Sequence, residues 1–163
     1  MSTTKILLTG NLGVGKSSLC SRFSRNEFSE QYLTTMNTRS NTKWVSTPSR
    51  KIELCVVDTP GEVDASKLPN KYWSGVQVVV YVVDATRQST LDNITADVHF
   101  IQNTLPHAIV KVVANKIDLI DAQHKAKLSQ HYMIDFFTSA KTGEQVNDLF
   151  LALAEATDAI VQH

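Results

Sequence analysis

Eight residues, Gly10-Asn11-Leu12-Gly13-Val14-Gly15-Lys16-Ser17, dictate the architecture around them. An apolar run from Lys5 to Thr9 leads into this segment, and Ser18 to Phe23 continues beyond it with helical character. Strand, glycine-studded loop and helix, in that order, open a phosphate-binding α/β unit. Glycines let successive backbone N–H groups turn inward around an anion, and the following helix directs its positive end at the same point. Lys16 is then placed to reach the β and γ oxygens of a nucleotide, and Ser17 to ligate magnesium. The structural alternative, a glycine-rich turn without a ligand, is disfavoured because the loop lies between a strand and a helix as the mechanism requires. Alone, the loop does not separate GTPases from ATPases and nucleotide kinases.

The rest of the chain alternates between two periods. Asn26 to Asn41 is polar and aperiodic, which predicts a mobile loop. Asn41 to Thr47 and Lys51 to Asp58 alternate, the latter with Ile52, Leu54 and Val56 on one face, and Pro48-Ser49-Arg50 between them reads as a hairpin turn. Val76 to Val83 and Ile109 to Ala114 are continuous apolar runs, suited to parallel strands buried on both faces. Leu91, Ile94, Val98 and Ile101 recur at helical spacing, as do Val146, Leu149, Phe150, Leu153, Ile160 and Val161. Ile134 to Thr138 adds a short strand. The expected fold is α/β: a six-stranded, mostly parallel sheet with one antiparallel edge strand and about five flanking helices. Ligands of such sheets bind beyond the carboxyl ends of the strands, where the motifs fall.

With 163 residues the chain is predicted to form a single domain, residues 1–163. No stretch approaches the roughly 18 apolar residues of a membrane span, so a soluble protein is expected. Lys plus Arg equals Asp plus Glu at 16 each, which argues against nucleic acid as a partner, since a phosphate backbone demands a positive surface. Cys20 and Cys55 both sit in segments of regular structure with no signal peptide before them, and a reduced, cytoplasmic setting follows. His99, His107, His124, His131 and His163 show no ligand spacing and are expected at the surface.

Asn115-Lys116-Ile117-Asp118 follows directly on the strand Ile109 to Ala114. A carboxylate there accepts from both N1–H and the exocyclic amine of guanine, whereas adenine has no such donor pair, so Asp118 points to guanine. A solvated turn remains the plain alternative for four residues taken alone.

With these motifs in order, the chain resembles a Ras-superfamily small GTPase over nearly all of its length. That resemblance implies phosphate contacts from Gly13, Val14, Gly15, Lys16, Ser17 and Ser18, and a base-side set of Asn115, Lys116 and Asp118. Thr138-Ser139-Ala140-Lys141 matches the family's second base loop, in which the Ala140 N–H meets the guanine oxygen beside Ser139. By the same resemblance Lys116 and Lys141 would pack along the base and Phe28 would lie across it. In Asp58-Thr59-Pro60-Gly61, Asp58 would hold magnesium through water and the Gly61 N–H would contact the γ-phosphate. Thr35, eighteen positions after Ser17, would ligate magnesium only in the GTP state. Lys71-Tyr72-Trp73-Ser74-Gly75-Val76 is similar to the Tyr-Tyr-Arg-Gly-Ala stretch of the Rab branch, while Met36-Asn37 and Val57 depart from the Rab pattern.

The implied function is a guanine-nucleotide switch that binds GTP or GDP with magnesium and hydrolyses GTP, with Lys16, Gly61 and Glu62 as the catalytic set. Turnover is expected to be slow: Glu62 stands where the family has a water-positioning glutamine, and Leu12 replaces a small residue. The alternative is a nucleotide-dependent binding module with little or no hydrolysis. A phosphate-loop kinase is disfavoured by Asp118 and by the lack of an arginine-rich lid. Exchange factor, activating protein and effectors are expected to use residues 26–45 and 59–75. Trp44 and Trp73 are candidate anchors there, although Trp44 equally suits covering a half-exposed sheet face. The chain ends Val161-Gln162-His163 without cysteine and begins with Ser2 after Met1, so no lipid anchor is expected within it. Membrane recruitment would then need a partner or an extension.

Overall fold

The computed structural model describes residues 3–26, 39–60 and 65–161. Six strands form one sheet: β1 (Thr3–Gly10), β2 (Arg39–Ser46), β3 (Lys51–Asp58), β4 (Val78–Asp84), β5 (Ile109–Asn115) and β6 (Phe136–Phe137). Their spatial order is β2-β3-β1-β4-β5-β6, with β2 antiparallel at one edge and all other pairs parallel. The helices are α1 (Lys16–Arg25), a single turn α2 (Gln88–Leu91), α3 (Ile94–Thr104), α4 (Ala122–His131) and α5 (Val146–Val161). The expected mixed sheet, with its antiparallel edge strand and helices on both faces, is what the chain forms.

The alternation of side chains along β4 explains the layering. All seven residues of this strand are buried. Val78, Val80 and Val82 join Leu19, Phe23 and Phe150 on the face covered by α1 and α5. Val79, Tyr81 and Val83 join Leu91, Ile94 and Ile101 on the face covered by α2 and α3. A continuous Val-rich run therefore marks a strand buried on both sides. Phe23 stacks on Phe150 with ring centroids 4.0 Å apart, locking α1 to α5.

The hairpin expected at Pro48-Ser49-Arg50 closes through the Thr47 N–H, which donates to the Arg50 carbonyl at 2.8 Å. Several expectations shift. The polar segment expected as a loop to Asn41 is already strand from Arg39, because Arg39–Asn41 pair with Val56–Asp58; residues 27–38 lie outside the described residues. The helical run from Leu91 to Ile101 is two helices, interrupted at Asp92 and Asn93. Ile134 to Thr138 contributes only two strand residues. Ile160, which recurs at the same helical spacing as the buried Leu149, Phe150 and Leu153, is 60% exposed near the end of α5.

Trp73 is buried rather than available as an anchor. A 3-10 turn at Asn70–Trp73 lays it on α3, edge-on to Phe100 at 6.1 Å. Trp44, on edge strand β2, is 45% exposed. The four histidines within the described residues are all on the surface, and among these residues no three or more His, Cys, Asp or Glu side chains gather as a metal-binding group. No described helix is long and apolar enough to cross a membrane, and Cys20 and Cys55 form no disulfide.

Candidate functional site

Because β1, β3, β4, β5 and β6 run parallel, their carboxyl ends meet at one edge of the sheet. Gly10, Asp58, Asp84, Asn115 and the segment after Phe137 converge there.

The loop from Gly10 to Gly15 crosses this edge under tight steric control. A Cβ on Gly10 would stand 2.2 Å from the Val82 carbonyl oxygen, and one on Gly15 2.3 Å from Asn115 Nδ2. Five consecutive loop carbonyls are each held by a side-chain donor. Lys16 Nζ donates to the Gly10 and Asn11 carbonyls, both at 3.0 Å. Arg87 Nη2 donates to Leu12 at 2.6 Å, Lys116 Nζ to Gly13 at 2.8 Å and Asn115 Nδ2 to Val14 at 3.1 Å. In a planar trans peptide the N–H points opposite to the carbonyl, so the N–H groups of Asn11 to Gly15 are turned away from these donors. They form a concave array of donors at the start of α1, whose first turn carries no acidic residue to offset its positive end.

Beside this array, Ser17 Oγ donates to Asp58 Oδ2 in a short hydrogen bond. Asp58 ends β3 and is almost wholly buried. The next residue is fixed too, since Thr59 Oγ1 donates to the Leu8 carbonyl at 2.8 Å. A hydroxyl and a carboxylate together are the hard oxygen donors that magnesium prefers, so the residues present fit that ion. Phe28, Thr35, Gly61 and Glu62 lie outside the described residues. Leu12, at the crest of the loop, leaves half of its surface exposed.

The other end of the site is organised by Asn115. Its Oδ1 accepts from the Ala140 N–H and from Thr138 Oγ1, both at 3.1 Å, while its Nδ2 holds Val14. Lys116 adopts φ 71, which turns the chain sharply and leaves Asp118 exposed in a short 3-10 turn. Ser139 Oγ donates to Asp118 Oδ1 at 2.7 Å, orienting that carboxylate. Arg22 Nε donates to the Ala140 carbonyl at 2.8 Å, and Lys141 projects to solvent. The Asp118 carboxylate, the Ala140 backbone N–H and the Lys116 side chain are thus supplied by neighbouring loops at one end of the site, and a carboxylate beside an N–H donor is the type of set that reads a base carrying adjacent donors and an acceptor.

Arg22, Asp84 and Arg87 were not among the residues singled out from the sequence. Asp84, at the carboxyl end of β4, is buried and receives Lys116 Nζ at 3.0 Å and Arg87 Nε at 3.2 Å. Burial pushes its carboxyl pKa up, but hydrogen bonds from the Thr86 hydroxyl and N–H, together with Lys116, outweigh burial and hold it below the ordinary value. An aspartate closing a buried parallel strand was the available signal. A separate groove of about 350 Å³ opens at the opposite, amino-end edge of the sheet, bordered by Gln77, Leu105, Pro106 and Ile160, far from these residues.

Comparison with known proteins agrees with this geometry. The model of the Ras family matches residues 5–159. The chain is 31% identical to the Ras-related protein RABE1e of Arabidopsis thaliana, over 93% of this chain and 73% of the relative. It is likewise 31% identical to the Ras-related protein Rab-1 of Theileria annulata, over 98% of this chain and 76% of that protein. It is also 31% identical to the Ras-related protein Rab-10 of Caenorhabditis elegans, over 93% and 79% respectively. With a phosphate-type loop, a buried aspartate and an exposed carboxylate assembled on one sheet edge, and this match along nearly its whole length, the chain belongs to the Ras family of small GTPases, with Rab-like character.

Proposed function

We propose that residues 1–163 form a single cytoplasmic domain that binds GTP or GDP with magnesium, hydrolyses GTP slowly and controls effector binding through two switch loops. The observation that carries this reading is the convergence of the carbonyl-pinned loop and the Ser139-oriented Asp118 carboxylate, with Asn115 bonded to both ends. The N–H groups of Gly13 to Ser18 receive the phosphates, Lys16 reaches the β and γ oxygens, and Asp118 accepts from the guanine edge. The Ala140 N–H meets the guanine oxygen beside Ser139. Lys116 and Lys141 flank the ring, with Phe28 across it.

Ser17, Asp58 and Thr35 would hold magnesium, which when bound neutralises charge on the phosphates. Gly61 contacts the γ-phosphate through its N–H, and Thr35 and Gly61 hold their loops only while that phosphate exists, so its loss lets them relax. Effectors and regulators use residues 26–45 and 59–75, with the exposed Trp44 on the β2 edge as an anchor.

In a second reading the chain binds nucleotide but hydrolyses little. Glu62, as a carboxylate, accepts from water without donating to a γ-phosphate oxygen, and the exposed Leu12 at the loop crest, turned toward the γ-phosphate, would crowd the approach of an activating arginine. Titration with a fluorescent GDP analogue, followed by single-turnover hydrolysis of GTP, tests both. Displacement by GTP and GDP but not ATP is expected. No binding would sink the assignment, and binding without measurable turnover would select the second reading.

A further inference from the structure

We infer that Arg87 is a positioning residue that sets how tightly the phosphates are held, an inference that rests on the nucleotide site proposed above. Arg87 stands in the turn between β4 and α2, outside the residues proposed to touch nucleotide. The turn is rigid: the Arg87 N–H donates to the Asp84 carbonyl at 3.0 Å, and the Arg87 carbonyl accepts from the Thr90 N–H at 3.1 Å and the Thr90 hydroxyl at 2.9 Å. From this fixed base the guanidinium spans two acceptors, Asp84 Oδ2 through Nε and the Leu12 carbonyl through Nη2. Lys116 runs alongside, from the same Asp84 carboxylate to the next carbonyl, that of Gly13.

Asp84 is therefore a buried anchor with two cationic arms, and each arm fixes one peptide at the crest of the loop. The peptide held by Arg87 is Leu12–Gly13, whose other end is the Gly13 N–H. Holding its carbonyl outward keeps that N–H directed into the concave side before any ligand arrives, and preorganised donors bind without paying to reorient. Arginine suits the position because its planar fork offers Nε to Asp84 and Nη2 to Leu12 from one rigid group, so that fixing one bond orients the other.

The consequence is specific to phosphates. The guanine edge is read by Asp118 and Ala140, whose supports are Ser139, Asn115 and Arg22 and do not include Arg87, while Lys116 beside the ring has its own bonds to Asp84 and Gly13 that do not pass through Arg87. Affinities for GDP and for guanosine, measured by competition against a fluorescent GDP analogue in wild type, Arg87→Ala and Arg87→Lys, test this. Arg87→Ala should weaken GDP by about tenfold, chiefly through faster release, and leave guanosine unchanged. Arg87→Lys should recover only part of the loss. GDP affinity within twofold of wild type in Arg87→Ala would overturn the inference, as would an equal loss for GDP and guanosine, which marks general damage. Failure of the wild type itself to bind GDP would remove the nucleotide site and this inference with it, whereas wild-type binding unaffected by Arg87→Ala removes the inference alone.

Discussion

Asn115 and Val14 are joined across 101 positions of sequence by a hydrogen bond from Asn115 Nδ2 to the Val14 carbonyl at 3.1 Å. The same amide accepts from Thr138 and Ala140 through its oxygen. Asn115→Ala therefore strands a buried carbonyl, a buried N–H and a buried hydroxyl together. We expect a loss of about 3 kcal/mol in unfolding free energy, read from urea denaturation, with nucleotide release accelerated in parallel. Wild-type stability in this variant would show that the bridge is not what ties the two loops.

Asp118→Asn isolates recognition from folding. Ser139 Oγ donates to Asp118 Oδ1 at 2.7 Å, and an asparagine amide oxygen accepts the same bond. The fold should be unchanged while GDP weakens by about tenfold or more, and xanthosine nucleotides should gain because the amide donates to their extra oxygen. Competition binding with GDP and xanthosine diphosphate reads this directly, and equal GDP affinity would refute the role of Asp118.

Gly10 ends β1, an inner strand of the sheet, in register with Val82 of β4. Its φ of 148 and the 2.2 Å approach of a Cβ to the Val82 carbonyl oxygen leave a side chain no room, since the obstacle is backbone. Gly10→Ala should cost about 3 kcal/mol or more, from strain and from displaced strand pairing. A thermal midpoint unchanged from wild type would contradict the described packing.

The Asp84 carboxylate makes stability depend on pH in a definite sense. Burial raises its pKa and the Thr86 and Lys116 contacts lower it further than burial raises it, so the folded value lies below the ordinary 3.8. The unfolded chain then binds the proton first as pH falls. The stabilisation is complete above the unfolded value and is lost as pH drops below it through the folded value. Asp84→Asn should flatten this part of the acid limb of a stability-versus-pH curve. An identical acid limb in both proteins would remove Asp84 as its source.

Hydrolysis should respond to Leu12 and Glu62 if the slow-turnover proposal holds. Leu12→Gly opens the loop crest, and Glu62→Gln supplies a donor to the γ-phosphate. Either change should raise the single-turnover rate by more than about threefold, roughly 0.7 kcal/mol of barrier. If both variants stay within that limit, neither residue governs turnover.

Much of this molecule was legible in local pattern. Lys51 to Asp58 begins and ends as its alternation suggested, and Ile52, Leu54 and Val56 are all buried, while Val57 and Asp58 are buried as well where the strand enters the core. Helix α4 was harder to read because Leu128 is its only buried residue; its signal lay instead in Asp121, whose side chain accepts from the His124 N–H at 2.7 Å and caps the helix. The break in the helical run at Asp92 and Asn93 was hidden, because Leu91 and Ile94 remain apolar at the right spacing on both sides of it.

The sequence by itself determined the periods of the strands and most helices, the order of the motifs and the chemistry available at each, because these rest on residue type and on neighbours a few positions away. It also placed the motifs at one edge, since parallel strands share their carboxyl ends. Tertiary structure alone decided which side chains hold the loop. Arg87 reaches Leu12 across 75 positions, Lys116 reaches Gly13 across 103, and Arg22 reaches Ala140 across 118. It likewise buried Trp73 while leaving Trp44 at the edge. Such pairings depend on strand order and on the turn that carries each side chain, and a hydrogen bond between distant residues leaves no period in either segment for a local reading to find.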